Sequence, residues 1–397
     1  MTFGVKGQKP ASHDDERGTI VPAVTTETVV ALLLLCGLFT VFAWKMGIAF
    51  TFKTMMATAH DLLLNTVLFL MGVLIIMSAF TSLIAEFGIV AIVHRALAPL
   101  MGPLFGLPGA TSVGAVACYL SDNPAIMPLG LDKGFLKYLR RWQVATLVNL
   151  GTVFGMGLIV TTFMLAQSTS GRPLGRAVLI GNVGAILGGV VSVRLMGWFA
   201  RRRYGSDDMV LSSEEEGYDT LKFREVRHGN VAQRALQALL DGGAHGVQMG
   251  LDIMPGVIII CTFVMMLSYG APDGGYTGAA YQGIAFFPWV GAKLSFLIRP
   301  LFGFADPRAI AFPVTSWASV GAALGMIPQF LQTGVVGPKE IAVLTGIGIC
   351  NAGFLSTHVG MMDGLKERRL TTVAIVTHFV GGLAAGVFAH GLFLLAG

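Results

Sequence analysis

The sequence predicts an all-α polytopic membrane protein, with about seven transmembrane helices in two inverted repeats. Each repeat carries a re-entrant helical hairpin, and one extra helix precedes them. Three observations predict this. The 397 residues are 54% hydrophobic and 12% charged, with a mean hydropathy of +0.71, whereas a soluble domain carries about a quarter charged residues. Several apolar runs reach the ~20 residues that cross ~30 Å of hydrocarbon, and lipid requires backbone groups to be satisfied within the segment, so these runs are helices. Short motifs of the first half return in the same order in the second.

Residues 1–27, "MTFGVKGQKPASHDDERGTIVPAVTTE", read as a mobile polar tail, too long and too acidic for the start of a signal peptide. The extra first helix falls in 28–58, with its apolar run at 28–50. Further spans are expected at 61–87, 141–166, 174–200, 246–269, 339–362 and 370–396. Residues 88–137 are broken by Pro99, Pro103, Pro108, Pro124 and Pro128, and residues 283–336 by Pro288, Pro300, Pro307, Pro313 and Pro328. Broken stretches of this kind make poor spans and good re-entrant segments. Cys36, Cys118, Cys261 and Cys350 all lie in apolar runs without a CxxC pair, so they read as packing residues and no metal site is expected.

The repeat is the most informative feature. "LMGVLIIMSAF" (70–80) echoes "MPGVIIICTF" (254–263), "PLFGL" (103–107) echoes "PLFGF" (300–304), and "VGAILGG" (183–189) echoes "VGGLAAG" (380–386). "VNLG" (148–151) matches "CNAG" (350–353), which makes Asn149 and Asn351 equivalent. The first repeat is expected at 59–200, a cytoplasmic linker with an amphipathic segment at 201–243, and the second repeat at 244–397. An odd number of crossings per copy inverts the second relative to the first. With the N-terminus in the cytoplasm of a bacterium and the chain in its inner membrane, eighteen of the 27 basic residues fall inside, as the positive-inside rule requires. The net charge of +5 is assigned to this topology, and not to nucleic acid.

The two broken segments then enter from opposite sides and bring their tips together near the midplane. "CYLSDNPAIMP" (118–128) sets Ser121, Asp122 and Asn123 before Pro124, which turns the chain and frees backbone groups to face a cavity. A carboxylate inside the membrane costs ~3 kcal/mol even on a lenient scale, which makes Asp122 the sharpest candidate for an ion or solute site. A helix cap near the interface is its bland alternative. "FPVTSWAS" (312–319) offers Thr315, Ser316, Trp317 and Ser319 at the second tip. Asn149 and Asn351, each followed by a glycine two positions on, are candidates for loosened helix beside the tips, and His358 for titration or hydrogen bonding. His60, His245, His378 and His390 read as structural, Glu86 and Lys339 as interfacial, and Trp289 as an interface anchor. HExxH, GxSxG and a P-loop are absent, so no enzyme is expected, and no cofactor beyond a coupling Na⁺ or H⁺.

Two inverted halves, each with a polar-tipped hairpin followed by a loosened polar helix, resemble the Gate, or nucleoside-recognition, superfamily over about 59–396. That superfamily includes concentrative nucleoside transporters, spore maturation proteins A and B, and ethanolamine permeases. The resemblance implies a secondary transporter working by an elevator motion, with a small-molecule substrate held by Ser121, Asp122, Asn123 and Asn149 from one half and Thr315, Ser316, Asn351 and His358 from the other. Asp122 and Asn149 are assigned to ion coupling, and relatives imply a homo-oligomer in the lipid bilayer. The chain departs from nucleoside-binding relatives in having no glutamate near either tip. A nucleoside-like compound and a small amine therefore both stand as substrates. A spore-maturation-type assembly factor and a passive channel are the alternatives.

Overall fold

The computed structural model describes residues 22–131, 133–136, 138–206, 208–210 and 226–396, so most of the 1–27 tail and the centre of the linker lie outside the described residues. Regular structure among the described residues is helical, apart from the isolated bridges Arg140–Met209 and Thr169–Arg172. Helix α1 (Thr26–Met46) turns at Gly47, φ 82°, into α2 (Ile48–Asp61). A π-helical turn, Leu62–Val67, carries α2 into α3 (Leu68–Glu86), giving one rod of 39 residues. Helices α4 (Ile89–Phe105) and α5 (Ser112–Leu120) meet at 114°. Gly106, left-handed at φ 71°, stops α4 as only glycine does without strain. Past a 3₁₀ turn, Asn123–Ile126, come the short α6 (Met127–Leu131) and α7 (Lys133–Leu136). A span interrupted at Gly155–Met156 follows, α8 (Arg141–Phe154) with α9 (Gly157–Ala166), and then the long α10 (Gly175–Tyr204).

The second half repeats the plan. Helix α11 (Val231–Gly256) passes through a π turn, Val257–Cys261, into α12 (Thr262–Ser268). Helices α13 (Phe286–Lys293) and α14 (Ser295–Phe302) lead to α15 (Ala311–Ala318), α16 (Val320–Gly325) and α17 (Ile327–Gln332). Helices α18 (Pro338–Cys350) and α19 (Phe354–Gly364) form the second interrupted span, and α20 (Thr371–Leu395) ends the chain. The segment between α12 and α13 is seated on α2, where Tyr281 N–H donates to Thr58 Oγ1 (3.0 Å) and the Tyr281 hydroxyl donates to Asp61. Burial, and then that bond to a carboxylate, push the Tyr281 hydroxyl pKa up.

Among the described residues, six helical segments are long and apolar enough to cross a membrane, or seven if the bent α4–α5 pair counts as one. Besides the turn at Gly47 within the 28–50 run and the break at Gly155–Met156 within the 141–166 run, two further expected spans differ. The 246–269 run belongs to a helix that starts at Val231, where the Asn230 side chain caps it by accepting Gln233 N–H (2.9 Å). The 339–362 run, expected as a span, is not among these six, because the break at Asn351–Gly353, with Gly353 at φ 64°, leaves helices of 13 and 11 residues. Glu86, expected at the interface, is buried between Arg227 (3.4 Å) and Arg234 (3.5 Å). Lys339 pairs with Glu340 (3.2 Å), and Trp289 is 61% exposed.

The backbone gives the register of the repeat. Left-handed residues pair as Gly88 with Ala285, Gly106 with Gly303, and Met156 with Gly353, each pair 197 positions apart. The same spacing relates "PLFG" and "VGAILGG" to their copies, but it sets Asn149 opposite Gly346. The expected equivalence of Asn149 and Asn351 is therefore out of register by five residues; the break itself places Phe154 opposite Asn351. Equivalent helices pack against each other antiparallel. Gly184 touches Ala385 and Ala389 while Gly188 touches Gly381, and Gly242, Gly246 and Gly250 meet Ser78, Ile75 and Met71 in turn. Reciprocal contacts of this kind are what a two-fold axis between inverted copies produces.

Close approach fixes both seams. A Cβ on Gly188 would lie 2.5 Å from the Gly381 carbonyl oxygen, and one on Gly246 would lie 2.6 Å from Ile75 Cα. Gly188→Val and Gly246→Val are each expected to destabilise the protein by at least about 2 kcal/mol, read as a lowered Tm in detergent. At Gly243 the nearest atom would be 3.8 Å away, so Gly243→Ala leaves Tm unchanged or raised.

Candidate functional site

The first chain reversal begins where α5 ends at Leu120. Ser121 (φ −130°, ψ −104°) leaves the helix, and Asp122 caps the 3₁₀ turn with its carboxylate on Asn123 N–H (2.7 Å). Pro124 at the start of that turn has no N–H to lose. Asn123 is fully buried and sits against both helix interruptions. A Cβ on Gly155 would lie 2.8 Å from Asn123 Cβ, and one on Gly353 would lie 2.6 Å from Asn123 Nδ2. That Nδ2 donates to the Gly353 carbonyl (3.5 Å) and to the Thr357 hydroxyl.

The second reversal is built alike. Ser319 has extended backbone (φ −158°, ψ 114°) between α15 and α16, and its hydroxyl accepts Ala322 N–H (3.2 Å). Ser319 lies 197 positions after Asp122, so the two are corresponding caps that differ in charge. Ser316 donates to Pro313 O (2.8 Å) and accepts from Asn351 Nδ2 (3.3 Å). Both reversals therefore converge on Asn351–Gly353, the first through Asn123 and the second through Ser316. Buried oxygens remain without a protein partner there: Asn123 Oδ1, Thr315 Oγ1 and Asn351 Oδ1. Trp317 is only half-buried and packs on Phe379, 5.0 Å between ring centroids.

Asn149 and His358 lie in a buried network that joins five helices, α8, α10, α18, α19 and α20. Asn149 Nδ2 donates to Ser192 Oγ (3.0 Å), Thr377 Oγ1 (3.0 Å) and Ala374 O (3.3 Å), which leaves Oδ1 to accept from His358 Nε2 (3.4 Å). Ser192 in turn donates to His378 Nδ1 (3.1 Å), and His378 Nε2 donates to Cys350 O (2.6 Å), one residue before the break. Thr152 Oγ1 lies 3.3 Å from His358 Nδ1. Ser192, Thr152, Thr357, Thr377 and His378 were not among the candidates. One signal marks His378: its counterpart 197 positions earlier is Gly181, so the copies differ there in polarity.

Two cavities adjoin these elements. A polar one of about 250 Å³ is lined by Ser78, Thr81, Ser82, Ser121, Asp241 and His245 among others, with Arg227 at its linker side. The larger, about 450 Å³, is walled by α4 and α10 and almost wholly apolar; its Tyr119 and Asn182 are bonded to each other (2.8 Å). Of the two, the polar cavity is the one lined by Ser121, the residue before Asp122. Asn149→Leu strips His358 and Ser192 of their partner, and is expected to cost at least about 2 kcal/mol, measured by thermal or denaturant unfolding in detergent.

No family model matches the chain, and no curated protein matches it. Solved structures of CNTnw, a concentrative nucleoside transporter, do. Its inward-facing substrate-bound state has a TM-score of 0.50 and 14% identity, over 82% of this chain and 75% of that one. A variant in an outward-facing state gives 0.50 and 12% over 92% and 85%, and another in an intermediate state gives 0.51 and 15% over 92% and 84%. At such identities the likeness is one of architecture: the chain has the fold of the concentrative nucleoside transporters.

Proposed function

We propose that the chain is a secondary active transporter of a small polar organic solute, nucleoside-like or a small amine, in a bacterial cytoplasmic membrane with its N-terminus inside. Residues 59–200 and 244–397 act as inverted halves around one site, Na⁺ or H⁺ drives the cycle, and the chain works as a homo-oligomer. The observation that carries this reading is the convergence of two chain reversals on Asn351–Gly353, with Asn123, Thr315 and Asn351 each keeping a buried oxygen without a partner. An unanswered buried acceptor costs about 1–3 kcal/mol. The N–H and O–H groups of a bound solute would satisfy these. Residues 119–126 and 311–325 contain no Lys or Arg, which disfavours a strongly anionic solute.

Broken symmetry supports an elevator motion. The second reversal touches α11 at Gly256, where Ser319 Oγ is 3.4 Å from a Cβ position. The counterpart of Gly256 on α3 is Gly72 by sequence echo, yet the first reversal touches α3 at Thr81, whose hydroxyl donates to Leu120 O (3.1 Å). The unit bearing the reversals thus sits toward the linker side. Exchanging the roles of the halves moves the first reversal from Thr81 to Gly72, nine residues or roughly 13 Å at 1.5 Å per residue. The second reversal then moves to the region of Met265.

Proteoliposomes test both statements. Counterflow of labelled nucleosides, amines or polyols is expected, and Asp122→Asn should cut the rate at least about tenfold. A Thr81→Cys/Ser121→Cys pair should cross-link and lock the protein, and Gly72→Cys/Ser121→Cys should trap the opposite state. Absence of counterflow for every solute, or a single-channel current, would overturn the proposal.

A further inference from the structure

We propose that the driving ion is a proton, carried by the Asp122 carboxyl and exchanged with water through the linker-side cavity, with His245 as the relay. This rests on the transporter reading and specifies its coupling step. Asp122 receives one hydrogen bond, the Asn123 backbone N–H, and no cationic side chain pairs with it among the described residues. A metal ion would need a cage of oxygens, since hard cations gather six or more. The neighbouring Asn123 instead turns its NH₂ group toward Gly353 and Thr357. Protonation alone removes the charge without a further ligand.

The cavity supplies the route. Its volume of about 250 Å³ holds several waters at ~30 Å³ each, and Ser78, Thr81, Ser82 and Ser121 line it with hydroxyl groups. The charged groups around it are already paired: Arg227 with Glu86 (3.4 Å) and Asp241 (2.7 Å), and Arg234 with Glu86 (3.5 Å). On α5 the titratable neighbour is Cys118, bonded to Asn123 O (3.4 Å), and on α19 it is His358, turned to Asn149 and Thr152. His245 on α11 is exposed in the cavity, which Ser121, the neighbour of Asp122 in the chain, also lines. In the transfer an imidazolium N–H bond breaks and a carboxyl O–H bond forms. The neutral imidazole then takes its next proton from water.

The apolar path explains why the proton is required. In the opposite position the reversal lies beside Gly72 in "LFLMGVLIIM" (68–77), ten residues without a hydroxyl or charge. A neutral carboxyl can cross that stretch, whereas a carboxylate meets the full penalty of burial in hydrocarbon. Loading at the hydroxyl-lined cavity and crossing beside the apolar run together make a coupled cycle.

Infrared difference spectroscopy of the full-length protein in detergent reads the carboxyl directly. The wild type should show a protonated-carboxyl C=O band that is lost on alkalinisation and missing in Asp122→Asn. In His245→Gln, hydrogen–deuterium exchange of that band should slow at least about tenfold. Asp122→Glu shifts the band without removing it and reads the site if Asp122→Asn does not fold. The inference is overturned if the band is absent, persists in Asp122→Asn, or is removed by Na⁺ at constant pH. Counterflow of uridine or ethanolamine by the wild type tests the transporter reading separately. Counterflow that responds to a Na⁺ gradient and not to a pH gradient sinks the proton while sparing transport.

Discussion

Inside a membrane no water answers a freed backbone carbonyl or amide, so every interruption of a helix must be met by other protein groups or face a wet cavity. The break at Asn351–Gly353 is the point on which the rest of the structure depends. Left-handed Gly353 opens the helix, Asn123 from one half takes up its carbonyl, and Ser316 from the other takes up the Asn351 amide. The first reversal is received by the other half through Gly353 and Thr357, the second by its own half through Asn351. Asn123 Oδ1, Thr315 Oγ1 and Asn351 Oδ1 stay buried there without a protein partner.

The two halves agree in backbone and differ in chemistry. Caps, left-handed residues and breaks recur at one spacing, while Asp122 stands opposite Ser319, Asn149 opposite Gly346 and His378 opposite Gly181. Shared positions maintain the two-fold packing, through small residues that let α10 meet α20 and α3 meet α11 at backbone distance. Divergent positions gather the charge and the hydrogen-bonding capacity into one half of each pair. The backbone is thus close to two-fold symmetric, while its polar groups are not.

Much of this was legible in the sequence. Hydropathy and proline placement located the helices and the two reversals, because the cost of lipid burial is read directly from composition. The hydroxyl, carboxyl and amide of Ser121–Asn123 stood out for the same reason. Register was harder: "VNLG" and "CNAG" share letters by coincidence, and only the positive φ of Met156 and Gly353 sets the breaks opposite each other. His378 looked structural because a lone histidine on a glycine-rich face is silent about its partners. Its role depends on Ser192 and Cys350, which are 186 and 28 residues distant in sequence.

Disulfide trapping of the convergence itself tests the account most directly, with Asn123→Cys paired to Thr357→Cys, and Ser316→Cys paired to Asn351→Cys, in membranes. Cβ atoms must approach within about 4.5 Å for a bond to form. The account predicts rapid cross-linking of both pairs. Failure of both, with the single variants Asn123→Cys and Ser316→Cys labelled only from one and the same side of the membrane, would contradict it.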